Sequence, residues 1–187
     1  MNPGSAEVRL SELCKTPARV ALLRTVLEHP TMSVSALAAR NRVTRGMVSR
    51  YLSMLEAEGI LVRDGRGYRL VESPSVVAIR RLLNILILTD AVPLPEWAWG
   101  IGVYGSWGRG TNNEGSDCDL WVAAQEVPPA DEMGRFRMTI RNAIHTEVHI
   151  LLLTPERIQQ IRDKDQPFYE SLVESTITIR GESFVHT

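Results

Sequence analysis

The stretch from Gly105 to Val122 constrains the fold of this chain more than any other part of its 187 residues. Gly105 and Ser106 follow an apolar run, and a polar loop then leads to Asp117 and Asp119 at the start of a second apolar run. On a β-strand, residues two apart lie on the same face, so both carboxylates are expected on one face, about 7 Å apart along the chain. Magnesium is usually bound by one or two carboxylates together with substrate phosphates. The pattern therefore predicts a site for nucleotide chemistry.

The turn that precedes the aspartates supplies the other half of this predicted site. Backbone N–H groups and a hydroxyl in a Gly-Ser turn can bind phosphate oxygens. An arginine in the following loop can neutralise part of the phosphate charge. The predicted nucleotide-binding residues are Gly105, Ser106, Arg109 and Ser116.

A second glycine motif overlaps the same region and does not support a dinucleotide site. Residues 100–105 spell G-x-G-x-x-G, but that fingerprint must follow a strand and open a helix. Here the glycines fall inside the apolar run itself, so we expect them to lie within the strand. A Walker-type phosphate loop is also excluded, because no Lys-Ser or Lys-Thr pair follows the glycines.

The segment from Tyr104 to Val122 resembles the signature of the polymerase-beta-type nucleotidyltransferase superfamily, in particular its minimal stand-alone members. That signature is an apolar strand, Gly-Ser, a spacer, and Asp-x-Asp flanked by apolar residues, and the likeness extends over roughly residues 78–184. It implies a small α/β domain with a mixed sheet. It also implies two magnesium ions held by Asp117, Asp119 and a third carboxylate, and transfer of a nucleoside monophosphate from a nucleoside triphosphate to an acceptor.

The resemblance places the third carboxylate on the strand predicted over residues 147–153. Glu147 and His149 share one face of that strand. Glu147 has the right chemistry, whereas alignment on the helix start at 154–156 puts His149 in the position. Glu147 is therefore the candidate catalytic and metal-binding residue, and His149 is the alternative.

The first 73 residues contain three predicted helices and a hairpin. A cap residue or a proline at the first helical position marks the start of a helix. The candidate starts are Thr16-Pro17, Ser33 or Ser35, and Thr44. We expect the third helix to end at Gly59, and residues 61–71 to form a hairpin with a glycine-containing turn.

This order resembles the winged helix-turn-helix domain of bacterial and archaeal regulators, most closely over residues 48–63. The resemblance implies binding to double-stranded DNA, with the third helix in the major groove and the hairpin on phosphates or in the minor groove. A module that only contacts proteins remains the alternative. The candidate DNA-binding residues are Thr44, Arg45, Ser49, Arg50 and Ser53 on the helix, and Arg63, Arg66 and Arg69 on the wing.

Charge divides the chain in the same way. Residues 1–73 carry 11 basic and 7 acidic residues, whereas residues 74–187 carry 10 and 15. A basic half joined to an acidic half favours two domains with different partners. We therefore predict an α+β protein, with a winged helix-turn-helix over residues 1–73 and a nucleotidyltransferase-like domain over residues 74–187, which begins with a linker helix at about 75–88.

The composition favours a cytoplasmic protein with no membrane partner. The densest aliphatic cluster, residues 82–88, is too short to cross a bilayer, and charged residues interrupt any secretory segment at the N-terminus. Two cysteines are too few for a disulfide framework or a zinc site.

Two functions follow from these patterns. One is a magnesium-dependent nucleotidyltransferase coupled to DNA binding. The alternative is a transcriptional regulator or antitoxin whose second domain senses a nucleotide, or binds a toxin-like protein partner, without catalysis. An intact set of three metal ligands favours the enzyme, and a histidine in the third position favours the sensor. The sequence does not specify the acceptor, the preferred base or the operator. It also leaves the assembly state open, and a homodimer is one possibility.

Overall fold

The computed structural model describes residues 11–29, 31–65 and 67–186. The chain separates into two compact units that divide between Arg80 and Arg81. They are named here the N-terminal unit and the C-terminal unit. The assignment of the domain boundary to residues 73 and 74 stays a prediction.

Three helices form most of the N-terminal unit, namely α1 (Pro17–Glu28), α2 (Val34–Asn41) and α3 (Arg45–Ala57). Each helix follows an N-cap residue whose side-chain hydroxyl accepts a hydrogen bond from the backbone N–H three residues later. These caps are Thr16, Ser33 and Thr44, which confirms the predicted starts and selects Ser33 over Ser35. The chain turns out of α3 at Gly59, whose φ of +70° suits glycine.

A short antiparallel hairpin completes the N-terminal unit. Its strands are β1 (Leu61–Asp64) and β2 (Gly67–Leu70), and Leu61 is paired with Leu70. Leu61 and Leu70 are both buried, as are several leucines of α1 and α3. The three helices and the hairpin therefore follow the order predicted for a winged helix-turn-helix.

Helix α4 (Pro74–Ala91) is longer than the predicted linker helix at 75–88. Its start also differs slightly from the predicted start at about residue 75. The hydroxyl of Ser73 accepts the N–H of Val76 at 3.3 Å, because Pro74 suits the first helical position and moves the cap back to Ser73. Among the residues that the structure describes, no helix is both long and apolar enough to cross a bilayer.

The C-terminal unit contains a sheet of four strands, and this sheet is mixed, as predicted. Its strands are β3 (Ala98–Val103), β4 (Cys118–Ala124), β5 (Val148–Leu153) and β6 (Ile177–Gly181). They lie in the order β5-β4-β3-β6, with β4 and β5 parallel and the other pairs antiparallel. The helices are α5 (Gly105–Arg109), α6 (Ala130–Ile144), α7 (Pro155–Lys164) and α8 (Gln166–Ser175), and a 3-10 turn follows at Phe184–His186.

Alternation along β4 separates two cores. Leu120 and Val122 pack in one core with Phe136 and Ile140 of α6. Trp121 and Ala123 point the other way, into a core formed largely by α7, α8 and the 3-10 turn. Asp119 shares this second face, because it lies two residues before Trp121.

Steric contacts explain the glycines that imitate a dinucleotide motif. Gly100 and Gly102 lie within β3, as expected. A Cβ on Gly100 would stand 2.0 Å from the carbonyl oxygen of Glu182, and one on Gly102 would stand 2.4 Å from the Trp121 ring. These glycines are therefore required by close packing on both sides of the strand.

Candidate functional site

The paired aspartates lie where β4 begins. Cys118 is fully buried in the α6 core, so Asp117 and Asp119 on either side of it are directed to the opposite face. Asp119 is half-buried and Asp117 is exposed. The structure thus brings the two predicted carboxylates together on the face that also carries Trp121.

The Gly-Ser turn lies directly against Asp119. Gly105 has a φ of +65°, and a Cβ on it would stand 2.7 Å from Oδ2 of Asp119. Only a residue without a side chain fits both this conformation and this contact. The turn continues as α5, and this brings Arg109 into the electrostatic surroundings of Asp119.

One predicted phosphate donor is already engaged. The N–H of Gly105 donates to Oγ of Ser175 at 3.2 Å, and that hydroxyl donates to the carbonyl of Ser171. The last turn of α8 therefore fixes the position of the Gly-Ser turn. Ser106 is half-buried, and its carbonyl accepts the N–H of Thr111.

His149 lies beside the aspartate pair. It is the register partner of Asp119 across the parallel β4–β5 pair. Its Nε2 is 3.6 Å from Oδ2 of Asp117, an ion pair when the imidazole is protonated. Alignment on the helix start at 154–156 had predicted His149 for the place beside the two aspartates.

Glu147 is directed elsewhere. Strand β5 begins at Val148, one residue later than predicted, and the Glu147 carboxylate forms an ion pair with Arg141 of α6 at 2.5 Å. The backbone of Glu147 stays next to the site, because its carbonyl accepts the N–H of Cys118 at 2.8 Å. Within the described ranges no group of three or more His, Cys, Asp or Glu side chains is arranged to hold a metal ion.

Burial and neighbouring charges act together on Asp119. Burial raises the pKa of its carboxyl, and the negative charge of Asp117 raises it further. The positive charges of His149 and Arg109 oppose this rise in the pKa. Burial, and then the charge of Asp119, raise the pKa of Tyr104 to about 12. A cation bound between the carboxylates would relieve their repulsion.

The loop before Asp117 is held by a polar network that sequence analysis missed. The side-chain amide of Asn84 on α4 donates to the carbonyl of Trp107 at 3.0 Å and to Oδ1 of Asn112 at 2.7 Å. The Ser116 hydroxyl, a predicted nucleotide contact, accepts the N–H of Asn113 at 2.9 Å. The available signal was Asn84 itself, an amide inside an otherwise aliphatic stretch of helix.

The predicted DNA-binding residues of α3 share one exposed face. Arg45, Ser49, Arg50 and Ser53 are exposed. Thr44 is also exposed, and its side chain caps the helix. Sequence analysis did not name Arg40 and Arg42, which are also exposed at the α2–α3 turn. No acidic residue occurs between positions 31 and 55. The charged residues of this segment are therefore all basic.

The arginines of the wing have acidic neighbours. Arg63 forms an ion pair with Glu56 at 3.1 Å and lies 5.6 Å from the centre of the Tyr68 ring. Arg69 is 3.6 Å from Asp64. Arg66, the remaining candidate on the wing, falls outside the described residues.

A family comparison matches part of the N-terminal unit. Residues 15–64 match the MarR family, which confirms a winged-helix domain of MarR type in this part of the chain. No curated protein matches the chain.

Several solved structures resemble the chain in part. A mutant MntA–HpeT toxin–antitoxin is 17% identical, with a TM-score of 0.37, over 55% of this chain and 74% of that one. A toxin–antitoxin with AMP-PNP is 18% identical, with the same TM-score and coverage. A tri-AMPylated Shewanella oneidensis HEPN toxin in complex with MNT antitoxin is 16% identical, with a TM-score of 0.32, over 56% and 72%.

The electrostatics of Asp119 can be tested by titration. In metal-free protein we expect its carboxyl to titrate at a higher pH than that of Asp131, whose pKa is lowered by a hydrogen bond from Arg135. Removing a like charge favours ionisation, so Asp117→Asn should lower the pKa of Asp119, whereas His149→Ala should raise it. Carbon-detected NMR of the carboxyl groups measures the pKa of Asp119 and of Asp131 in the wild type, and that of Asp119 in each variant. An unchanged pKa in both variants would contradict the proximity described here.

Proposed function

We propose that the C-terminal unit binds a nucleoside triphosphate with magnesium and transfers its nucleoside monophosphate to an acceptor. The observation that carries this proposal is the pair formed by Asp117 and Asp119 on one strand face, with Asp119 lying against the bare backbone of Gly105. The sequence resemblance to minimal nucleotidyltransferases supports the same function.

The side chains fit one magnesium ion better than two. Asp117 and Asp119 supply the hard oxygen ligands that magnesium prefers, and substrate phosphates with water usually complete its shell. A second ion would need a further carboxylate, and Glu147 would first have to leave Arg141. When bound, magnesium would neutralise the triphosphate and orient it for displacement.

The remaining roles fall to residues around the pair. An acceptor oxygen would form a bond to the α-phosphorus while the bond from that phosphorus to the β-bridging oxygen breaks, and pyrophosphate would leave. Arg109 would neutralise the leaving charge, and Ser106 would contact phosphate at the Gly-Ser turn. Glu147 or His149 would orient the acceptor and take its proton.

A second candidate function is a regulator or antitoxin that binds nucleotide without turning it over. The observation that favours it is the contact between Glu147 and Arg141, together with His149 beside Asp117. Such a protein would signal through the N-terminal unit or through a toxin-like partner.

For the N-terminal unit we propose binding to double-stranded DNA. The exposed basic surface formed by Arg40, Arg42, Arg45 and Arg50, in a domain of MarR type, supports this proposal. Neutralising phosphates releases bound counterions, which drives binding at low salt.

Nucleotide binding is expected to depend on the two aspartates. Asp117→Asn/Asp119→Asn should abolish the magnesium-dependent part of nucleotide binding, because the amide oxygens carry no charge for the ion. Isothermal titration with a non-hydrolysable triphosphate, with and without magnesium, measures this. The matched control is Asp131→Asn, an exposed aspartate that forms an ion pair with Arg135 on α6. Wild-type affinity in the double variant would refute the site.

The second prediction separates the enzyme from the sensor. Label from an α-labelled triphosphate should pass to the protein or to a co-purified partner, and Glu147→Gln should abolish this transfer if the carboxylate takes the acceptor proton. Loss of transfer with His149→Ala alone would assign that role to the imidazole. Arg141→Gln, which frees Glu147, should increase transfer. If the wild type and every variant bind nucleotide and none of them transfers label, the sensor function is correct.

The third prediction concerns DNA. The full chain should bind duplexes with an affinity that falls steeply as salt rises. Arg50→Ala should weaken binding to a duplex selected by the protein by about 1–3 kcal/mol, the usual value for an arginine that reads a base edge. Arg135→Ala, which also removes one exposed arginine, should have no effect. Absence of any gel shift at low salt would remove DNA from the proposed partners.

A further inference from the structure

Asn84 is an amide buried on α4, with 4% of its surface exposed. Its Nδ2 donates to the carbonyl of Trp107 and to Oδ1 of Asn112, which lie 23 and 28 positions further along the chain. Trp107 belongs to the short helix α5, and Asn112 belongs to the loop that follows this helix. One side chain of α4 is therefore bonded to both ends of the segment 107–112.

Arg109 lies inside that segment, between the two bonded residues. It is the last residue of α5, and it is exposed. Over the ranges that the structure describes, its side chain forms no hydrogen bond or ion pair. The position of Arg109 is therefore determined by the backbone that carries it. The chain is bonded to α4 two residues before Arg109 and three residues after it.

Helix α5 depends on its neighbours for its shape, because five residues complete little more than one turn and the first turn of a helix is unfavourable alone. Its first residue is fixed by α8, through the bond from the N–H of Gly105 to Ser175. The indole of Trp107 packs in the α6 core, but apolar packing is not directional. A hydrogen bond, by contrast, requires the carbonyl to point toward its donor. Asn84 therefore sets the orientation of the end of α5, which carries Arg109.

We infer that Asn84 is a positioning residue, which holds Arg109 where the phosphates of a bound nucleotide would meet it. The charge of Arg109 already acts on Asp119 in the free protein, so the arginine lies near the carboxylates at which the nucleotide would bind. Asn84 would not touch the nucleotide, because its buried amide is bonded to Trp107 and Asn112. The inference rests on the proposed nucleotide binding by the C-terminal unit, and it applies to the enzyme and to the sensor alike.

Asn84→Leu/Asn112→Leu is the direct test, because it replaces both bonded amides by apolar side chains of similar shape, a change that costs little stability. The carbonyl of Trp107 keeps the N–H of Gly110 at 3.3 Å. The melting temperature should stay close to that of the wild type. Affinity for a non-hydrolysable triphosphate with magnesium, measured on the full chain by isothermal titration, should fall about tenfold, as when one hydrogen bond to a charged group is lost.

Arg109→Gln separates positioning from a general loosening of the fold. Alone it should also weaken nucleotide binding about tenfold, because it removes the charged contact itself. If Asn84 acts through Arg109, the two losses are not additive, and the variant that combines all three substitutions should bind about tenfold more weakly than the wild type. A loss of about a hundredfold would show independent effects and would overturn the inference.

The matched control is Asn41→Leu in the N-terminal unit. Oδ1 of Asn41 accepts the hydroxyl of Thr25 at 3.1 Å, and its Nδ2 donates to the carbonyl of Leu37 at 3.0 Å. Loss of these bonds should lower the melting temperature and leave nucleotide affinity unchanged.

Two results separate this inference from the function on which it rests. Wild-type affinity in Asn84→Leu/Asn112→Leu, or in Arg109→Gln, would overturn the positioning role and leave the proposed nucleotide binding intact. Failure of the wild-type protein to bind the triphosphate would remove both.

Discussion

The packing of Trp121 against β3 determines where the candidate active site forms. Its fully buried indole lies on the strip that Gly100 and Gly102 leave without side chains, and its Nε1 donates to the Thr176 hydroxyl. This contact fixes the alignment of β4 with β3. Because side chains alternate along a strand, the residue two positions earlier lies on the same face. That residue is Asp119, which thereby reaches the Gly-Ser turn.

Local sequence patterns predicted the elements, but not the contacts between them. Helix caps such as Thr16 and Thr44 were predictable, because a cap involves only residues three apart. The shared face of Asp117 and Asp119 followed from strand alternation alone. The bond from Gly105 to Ser175 joins residues 70 positions apart, and nothing local encodes it. Glu147 was assigned to the site because β5 was expected to begin one residue earlier than it does.

The basic surface of the α2–α3 region and the arginines of the wing differ in whether acidic side chains already pair with them. The arginines of the α2–α3 region have no acidic residue near them in sequence, whereas Arg63 and Arg69 on the wing are paired with Glu56 and Asp64. Exposed ion pairs are worth only about 0–1 kcal/mol, so DNA phosphates could displace the acidic partners at little cost. The wing is therefore expected to add less to affinity than the helix, and to add it mainly at low salt.

The small free energy of an exposed ion pair also bears on the choice between enzyme and sensor. The Arg141 and Glu147 side chains are 46% and 56% exposed, so their ion pair belongs to the weak class, at about 0–1 kcal/mol. A bound divalent cation attracts a carboxylate more strongly than that, because its charge is double and its ligands are partly desolvated. The contact with Arg141 therefore places Glu147 outside the site in the free protein without preventing its return. What distinguishes the two functions is whether the backbone at residues 147 and 148 lets the Glu147 carboxylate turn toward Asp117 while Cys118 still donates to the Glu147 carbonyl.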